Sequence, residues 1–440
     1  MRRFSPTARP TARAPARVIA AALALVIGGL IGPAPWPARA QATADGANLA
    51  DNLSTLPALL NALGGDVITF TAANAEAHVA TLVAAPPAAV EAVLRTPAAY
   101  LQAIPSLARA DVVERRPRPG GGEDLLVDWE LEIPLFNLRG KLWVGGDGPR
   151  VVMDLVEGNF APGQLVFTWA PAGSGQTIVA LRARVNNQEG GWVIKRVASH
   201  SRYAGPAINA AAAYVAARAM AALAEHPRDA GARRPHAPPS PPTLAAINGR
   251  PLAERLLAAD GAGTAALGLV RRASSGRLAM VSIAVPTRRA ADGAAAALGA
   301  PESWRAFPGW KHVDRVPAAP DGNGFVDVDV RDNVPFVDFD ARWRLWPGPP
   351  PRAQATSGSG HGAVFGWDLV DTAPPRLPAT AAVLSLYPRL EALGYVPRKF
   401  IAAEPLLEHG LALALAYADA MAARDALDAT AAAPVDQKRQ

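Results

Sequence analysis

Two stretches of this chain follow the same pattern, and that pattern leaves little choice of fold. Asp124–Val144 reads DLLVDWELEIPLFNLRGKLWV: apolar and charged residues alternate, the chain turns at Ile133-Pro134, and the alternation resumes. Period-two alternation puts every second side chain on one face, which predicts two adjacent antiparallel strands with one buried and one wet face. Phe325–Trp346 (FVDVDVRDNVPFVDFDARWRLW) repeats this, with Val334-Pro335 at the same turn. The match extends further. Ile104-Pro105 answers Phe307-Pro308, Phe167-Thr168-Trp169 answers Phe365-Gly366-Trp367, and Thr177–Val193 aligns without a gap to Thr380–Val396. Tyr214 and Tyr417 then share a position near the end of each copy. The offset stays between 198 and 203 throughout, a constancy that chance similarity does not keep. One fold unit is encoded twice.

Within the first copy the spacing predicts a short helix over 53–63, strands over 66–71 and 77–85, and a helix opened by Pro86, with proline at a first-turn position. A second short helix over 97–104 follows. Strands near 109–117, 123–133, 137–145, 150–157, 164–170 and 176–186 come next, then an Ala-rich helix over 203–225. Strands in succession, joined by Gly, Pro and Asp turns, point to an antiparallel meander and an α+β class. Ile208, Ala212, Val215, Ala219 and Leu223 fall on one side of the closing helix and are expected to be its buried face. The second copy echoes this order after a Pro-rich linker, with a helix around 251–259, strands near 266–272 and 277–285, and Pro286 where Pro86 stood. The expected organisation is a signal segment at 1–40, a leader with a short helix at 41–65, a first domain at 66–226, an extended linker at 227–243, a second domain at 244–428 and a polar tail at 429–440.

Charge excludes one function class. The net charge of +6 comes from the leader: six of the 44 basic residues lie in 1–40, which hold no acid, and the remaining 38 balance the 38 acids. A neutral mature chain has no global field to attract phosphates, so nucleic acid is not an expected partner. Arg-rich residues 2–17, an apolar run over 18–31 and Ala38-Arg39-Ala40 read as a secretory signal cut near Ala40, which implies a periplasmic or secreted protein. With no cysteine, stability there rests on packing rather than disulfides.

The order of one or two strands, two short helices, a long meander and a C-terminal helix resembles the START-like (SRPBCC) helix-grip superfamily. Its polyketide cyclase/dehydratase and coenzyme Q-binding subgroup is the most similar. The residues carrying the resemblance are Leu82-Val83, Pro86, Ile104-Pro105-Ser106, the Phe167–Trp169 strand and the strand opening at Thr177, with their counterparts in the second copy. The resemblance implies two tandem helix-grip domains. Each would be a curved antiparallel sheet wrapped around a long helix, with an apolar cavity for a lipid, quinone, sterol or polyketide. Both copies depart from the pattern by an extra segment before the last helix (187–201 and 390–404), and the second copy's fifth strand (352–362) is polar, which puts an intact second cavity in question.

Alternation identifies the inward residues. Trp129, Leu131, Leu142, Phe167, Trp169, Leu181 and Val215 in the first copy, and Phe339, Trp343, Phe365 and Trp367 in the second, are the expected ligand-lining positions. Their alternative role is plain core filling. Buried indoles need hydrogen-bond partners, and a ligand is one candidate. The seven histidines form no metal motif, and no cofactor is expected. Glu404, Glu408 and His409 lie together and are expected to form a solvated helix N-terminus, where acids suit the dipole. Gly410–Ala422 is apolar on most sides. Burial in its own sheet is the expectation, transient membrane contact the alternative. Three functions stay open at this level: a carrier of an apolar small molecule, an envelope scaffold with filled domains, and a cyclase-like enzyme.

Overall fold

The computed structural model describes residues 53–431, apart from 73–75, 120, 134–135, 174, 190–194, 196–200, 228–238, 259–263, 308–309, 311, 318–323, 335–336, 372–379, 395–397, 400 and 403–404. The signal-like leader and most of the Pro-rich linker lie outside the described residues.

The first unit opens with α1 (Leu56–Leu63), ended by Gly64 in the left-handed conformation that only glycine adopts freely. Strands β1 (Val67–Ala72) and β2 (Ala77–Val83) follow, then α2 (Pro87–Arg95) and α3 (Pro97–Ala103), both started by proline. The meander comprises β3 (Leu107–Pro117), β4 (Glu123–Ile133), β5 (Phe136–Gly145), β6 (Arg150–Gly158), β7 (Phe160–Pro171) and β8 (Thr177–Asn186), and α4 (Ala204–Glu225) closes the unit. The second unit repeats this with α5 (Arg250–Ala258), β9 (Thr264–Arg272), β10 (Leu278–Thr287) and α6 (Ala291–Leu298). A 3-10 turn (Pro301–Ala306) replaces the second short helix. Strands β11 (His312–Arg315), β12 (Val326–Val334), β13 (Val337–Trp346), β14 (Arg352–Gly358), β15 (Val364–Asp371) and β16 (Thr380–Tyr387) lead to α7 (Leu406–Ala431), which runs past the expected domain end at 428.

The duplication is visible in small devices as well as in element order. Glu225 accepts a hydrogen bond from the Ala84 N–H (3.2 Å), and Asp428 accepts one from the Arg288 N–H (2.8 Å), so each closing helix is stitched to the same turn after its unit's second strand. Gly158 (φ 82°) and Gly358 (φ 78°) end equivalent strands, followed by Asn159 N–H to Arg139 O (2.9 Å) and Ser359 N–H to Asp340 O (2.7 Å). In the predicted hairpin, Leu125 pairs with Val144, Val127 with Leu142 and Leu131 with Leu138. The inner face is therefore as the alternation required. This is the helix-grip architecture, present twice.

The two units share one sheet. Strand order is β11-β12-β13-β14-β15-β16-β10-β9-β1-β2-β8-β7-β6-β5-β4-β3, with the first strand of each unit paired antiparallel to the other, Val67 opposite Val270 and Thr69 opposite Gly268. A side chain at Gly268 would lie 2.2 Å from Thr69 Oγ1, so the strands close only because that position is bare. Asp66 accepts from the Arg272 N–H (2.7 Å) and pairs with its guanidinium (3.2 Å). On the outer face, α1 and α5 cover the middle of this sheet with Leu56, Leu60, Leu63, Leu252 and Leu256 against Ile68, Ala80, Leu269 and Val383. On the inner face α4 and α7 run antiparallel: Tyr203 Oη meets Asp425 (2.7 Å), and Tyr214 Oη meets His409 Nδ1 (2.8 Å). Sequence alone leaves two domains on an extended linker; the paired strands and packed helices fix their arrangement.

Three expectations are corrected here. Pro286 does not stand where Pro86 did: it lies within β10 opposite Ala381, and Ala290 precedes α6 as Pro86 precedes α2. Ala212 is exposed and Ile208 and Val215 are only half-buried, whereas Ala207, Ala210, Ala213, Tyr214 and Ala217 are buried. An alanine-rich helix carries almost no contrast between faces, so its seam cannot be read from side-chain apolarity. Glu408 and His409, expected in solvent, are each 2% exposed. Glu408 takes a bidentate bond from Arg277 (2.6 and 2.8 Å), and His409 meets Tyr214 of the other unit. The packing of α7 on β10 holds Glu408 against Arg277, and the pairing of two units sets His409 against Tyr214; neither contact is visible in a local pattern. Burial pushes the His409 pKa down to about 3, helped by the positive charges of Arg272, Arg218 and Arg277, so the imidazole is neutral. The side chain of Glu404 lies outside the described residues.

Candidate functional site

The space between sheet and closing helix differs between the two units. In the second, the expected lining residues Trp343, Phe365 and Trp367 are buried and touch further rings. Trp304, Trp310, Trp343 and Phe365 stack or meet edge to face with centroids 5.2–5.9 Å apart, and Phe307 bridges Trp310 and Trp367. Each ring of this kind fills a large volume, and the pair geometry is the attractive one. Phe339 lies in β13 opposite Asp332, and its side chain is outside the described residues.

The first unit has smaller groups at matching places. Ile104 stands for Phe307, Leu107 for Trp310 and Leu142 for Trp343. Trp129, Phe167, Trp169 and Leu181 are fully buried against α4, as a core requires. Leu131, Leu142, Leu165 and Val185 are only partly buried, although they sit on the inner face and pack against that core. The second-unit equivalents of the last three, Trp343, Ala363 and Pro388, are all buried. With Phe160, Tyr203 and Ile208, also half-buried, these first-unit residues are partly exposed apolar side chains packed against the first unit's core. Val215, the remaining expected lining residue, lies at the helix seam: a side chain at Gly410 of α7 would come within 3.1 Å of its Cγ2. The structure therefore leaves Leu131 and Leu142 partly exposed, buries Trp129, Phe167, Trp169 and Leu181, and sends Val215 to the seam.

The first interior also carries polar groups that the alternation did not reveal. Arg218 of α4 is 1% exposed. Its Nη1 donates to Thr81 Oγ1 (2.9 Å) and its Nη2 pairs with Glu225 (3.4 Å), while its Nε has no partner. Burial lowers its pKa. At the other end of the same helix, Asn187 and Asn209 are bonded side chain to side chain at 3.0 Å. In the second unit the matching positions are Val285, Met421, Leu390 and Ala412. Position-by-position comparison of the two copies is the sequence signal that would have found these residues. The unpartnered indole N–H groups do not discriminate, since Trp129 in the first unit and Trp343 and Trp367 in the second are alike in this.

No family model matches the chain, and no curated protein does. Among solved structures, the di-domain ARO/CYC proteins BexL and StfQ are each 13% identical to it. BexL covers 78% of this chain and 98% of its own length at a TM-score of 0.25, and StfQ covers 78% and 97% at 0.24. A START superfamily protein from Mycobacterium smegmatis is 17% identical and covers 34% of this chain and 97% of its own, with a TM-score of 0.25. Strand order, helix placement and the internal repeat, taken from the chain itself, make it a tandem of helix-grip units joined through one continuous sheet.

Proposed function

We propose that the protein binds and carries an apolar small molecule in its first unit, with the second unit serving as a rigid aromatic-filled buttress. The observation that supports this reading is the half-exposed row Leu131, Leu142, Leu165 and Val185 on a face that points between sheet and helix. Aliphatic side chains held on an inner face yet reachable by solvent are a surface that gains by covering, at about 25 cal/mol per Å². The signal-like leader in the sequence supports a periplasmic or secreted location for this carrier, as part of the same proposal. An envelope scaffold is the competing reading, and the filled second unit alone would suit it.

Native mass spectrometry of protein purified from its own envelope tests the function. The expected result is a retained apolar molecule, together with a rise in melting temperature on adding lipid or quinone extracts. Protein that is consistently empty and indifferent to such extracts would refute the carrier reading. Fractionation with intact-mass measurement tests the location, and the expected N-terminus is Gln41.

A further inference from the structure

Asn187 opens the 3-10 turn Asn187–Glu189 directly after β8. Val179, Leu181, Ala183 and Val185 alternate onto the inner face, and Asn187, just past the strand, turns its side chain to Gly205 and Asn209 of α4. Its second-unit equivalent, Leu390, is part of the inner core, as expected of an inward position. The Asn187 side chain is spent in a defined way. Nδ2 donates to Gly205 O (3.0 Å) and to Asn209 Oδ1 (3.0 Å), which uses both amide hydrogens. Because the Gly205 carbonyl can only accept, the amide cannot be turned the other way. Oδ1 is left buried without a donor, in a residue 8% exposed that lies two positions past the partly exposed Val185.

A buried acceptor with no donor is unfavourable, and such groups in native proteins usually have a partner. The fold does not require the amides: Leu390 and Ala412 occupy the same two places in the second unit and are buried in its core. From this contrast we infer that Asn187 Oδ1 accepts a hydrogen bond from the ligand of the first unit, and that this ligand is an apolar molecule carrying a hydrogen-bond donor, assigned as a hydroxyl group. The Gly205 and Asn209 contacts hold the amide so that its oxygen faces the arriving donor. This rests on the carrier reading and narrows it: an apolar molecule with only acceptor oxygens, such as an ether or a ketone, leaves Oδ1 unpaired, and sites built this way discriminate strongly.

Matched probes separate the two claims. Fluorescence titration of the full mature chain with 2-naphthol and 2-methoxynaphthalene, which differ by the donor, is expected to favour the naphthol by about ten-fold or more. In Asn187→Leu, which copies the second unit, the preference falls to about one while methoxynaphthalene still binds. Equal binding of both probes to the parent protein, or a preference that survives in Asn187→Leu, overturns the assignment but leaves the carrier reading standing. A native molecule that is retained yet lacks a hydroxyl also overturns the assignment alone. Binding of neither probe, with no molecule retained in native mass spectrometry, overturns the carrier reading itself.

Discussion

The two units descend from one pattern and solve their interiors differently. Where the second places Phe307, Trp310 and Trp343, the first places Ile104, Leu107 and Leu142. Where the second has Leu390, Ala412, Val285 and Met421, the first has Asn187, Asn209, Thr81 and Arg218. One copy trades cavity for packing and the other keeps aliphatic walls with polar ends. Duplication makes this possible, because a fused partner supplies stability that a single open unit would have to find within itself. The seam carries this coupling: a continuous sheet, the Asp66–Arg272 ion pair and the Tyr203–Asp425 and Tyr214–His409 contacts.

Three measurements would break or sharpen the contrast. Truncating a ring in the filled unit should be the most damaging: Trp343→Ala is expected to lose about 3–5 kcal/mol by urea unfolding, against about 2 kcal/mol for the half-exposed Leu142→Ala. Equal losses would erase the distinction between filled and open interiors. The seam should show itself through pH. An ordinary histidine titrates near 6.5, and His409 is held down to about 3 in the folded chain, so the unfolded chain takes up the proton first as pH falls. The stability owed to neutral His409 is whole above pH 6.5 and is lost between 6.5 and about 3, by up to about 1.4 kcal/mol per pH unit. His409→Gln should flatten the acid limb of the parent's stability curve over that window, and an unchanged limb would remove His409 from the account. Smallest in stability is Leu142→Trp, which gives the first unit the ring found in the second. It should shift stability by less than about 1.5 kcal/mol and weaken probe binding at least ten-fold by titration. Undiminished binding would place the ligand elsewhere.

Period-two alternation made the inner and outer faces of β4, β5 and β8 legible from sequence, because side chains on a strand have only two directions to take. The repeat made the tandem legible, since the offset survives where identities do not. The site was legible in part: Trp129, Phe167 and Trp169 were identified as inward, but whether an inward side chain is packed or reachable depends on what faces it across the interior.

By itself, then, the sequence determined two sheet-and-helix units, their element order and the direction of each strand side chain, all consequences of local periodicity and steric preference. Only the tertiary structure decided that β1 and β9 join the units into one sheet, that Glu408 and His409 are buried and that Leu142 and Val185 stay partly exposed where Trp343 and Pro388 are buried. Those outcomes turn on close approach between segments far apart in the chain, at bare positions such as Gly268 and Gly410, and on the summed volume of rings that no local pattern adds up.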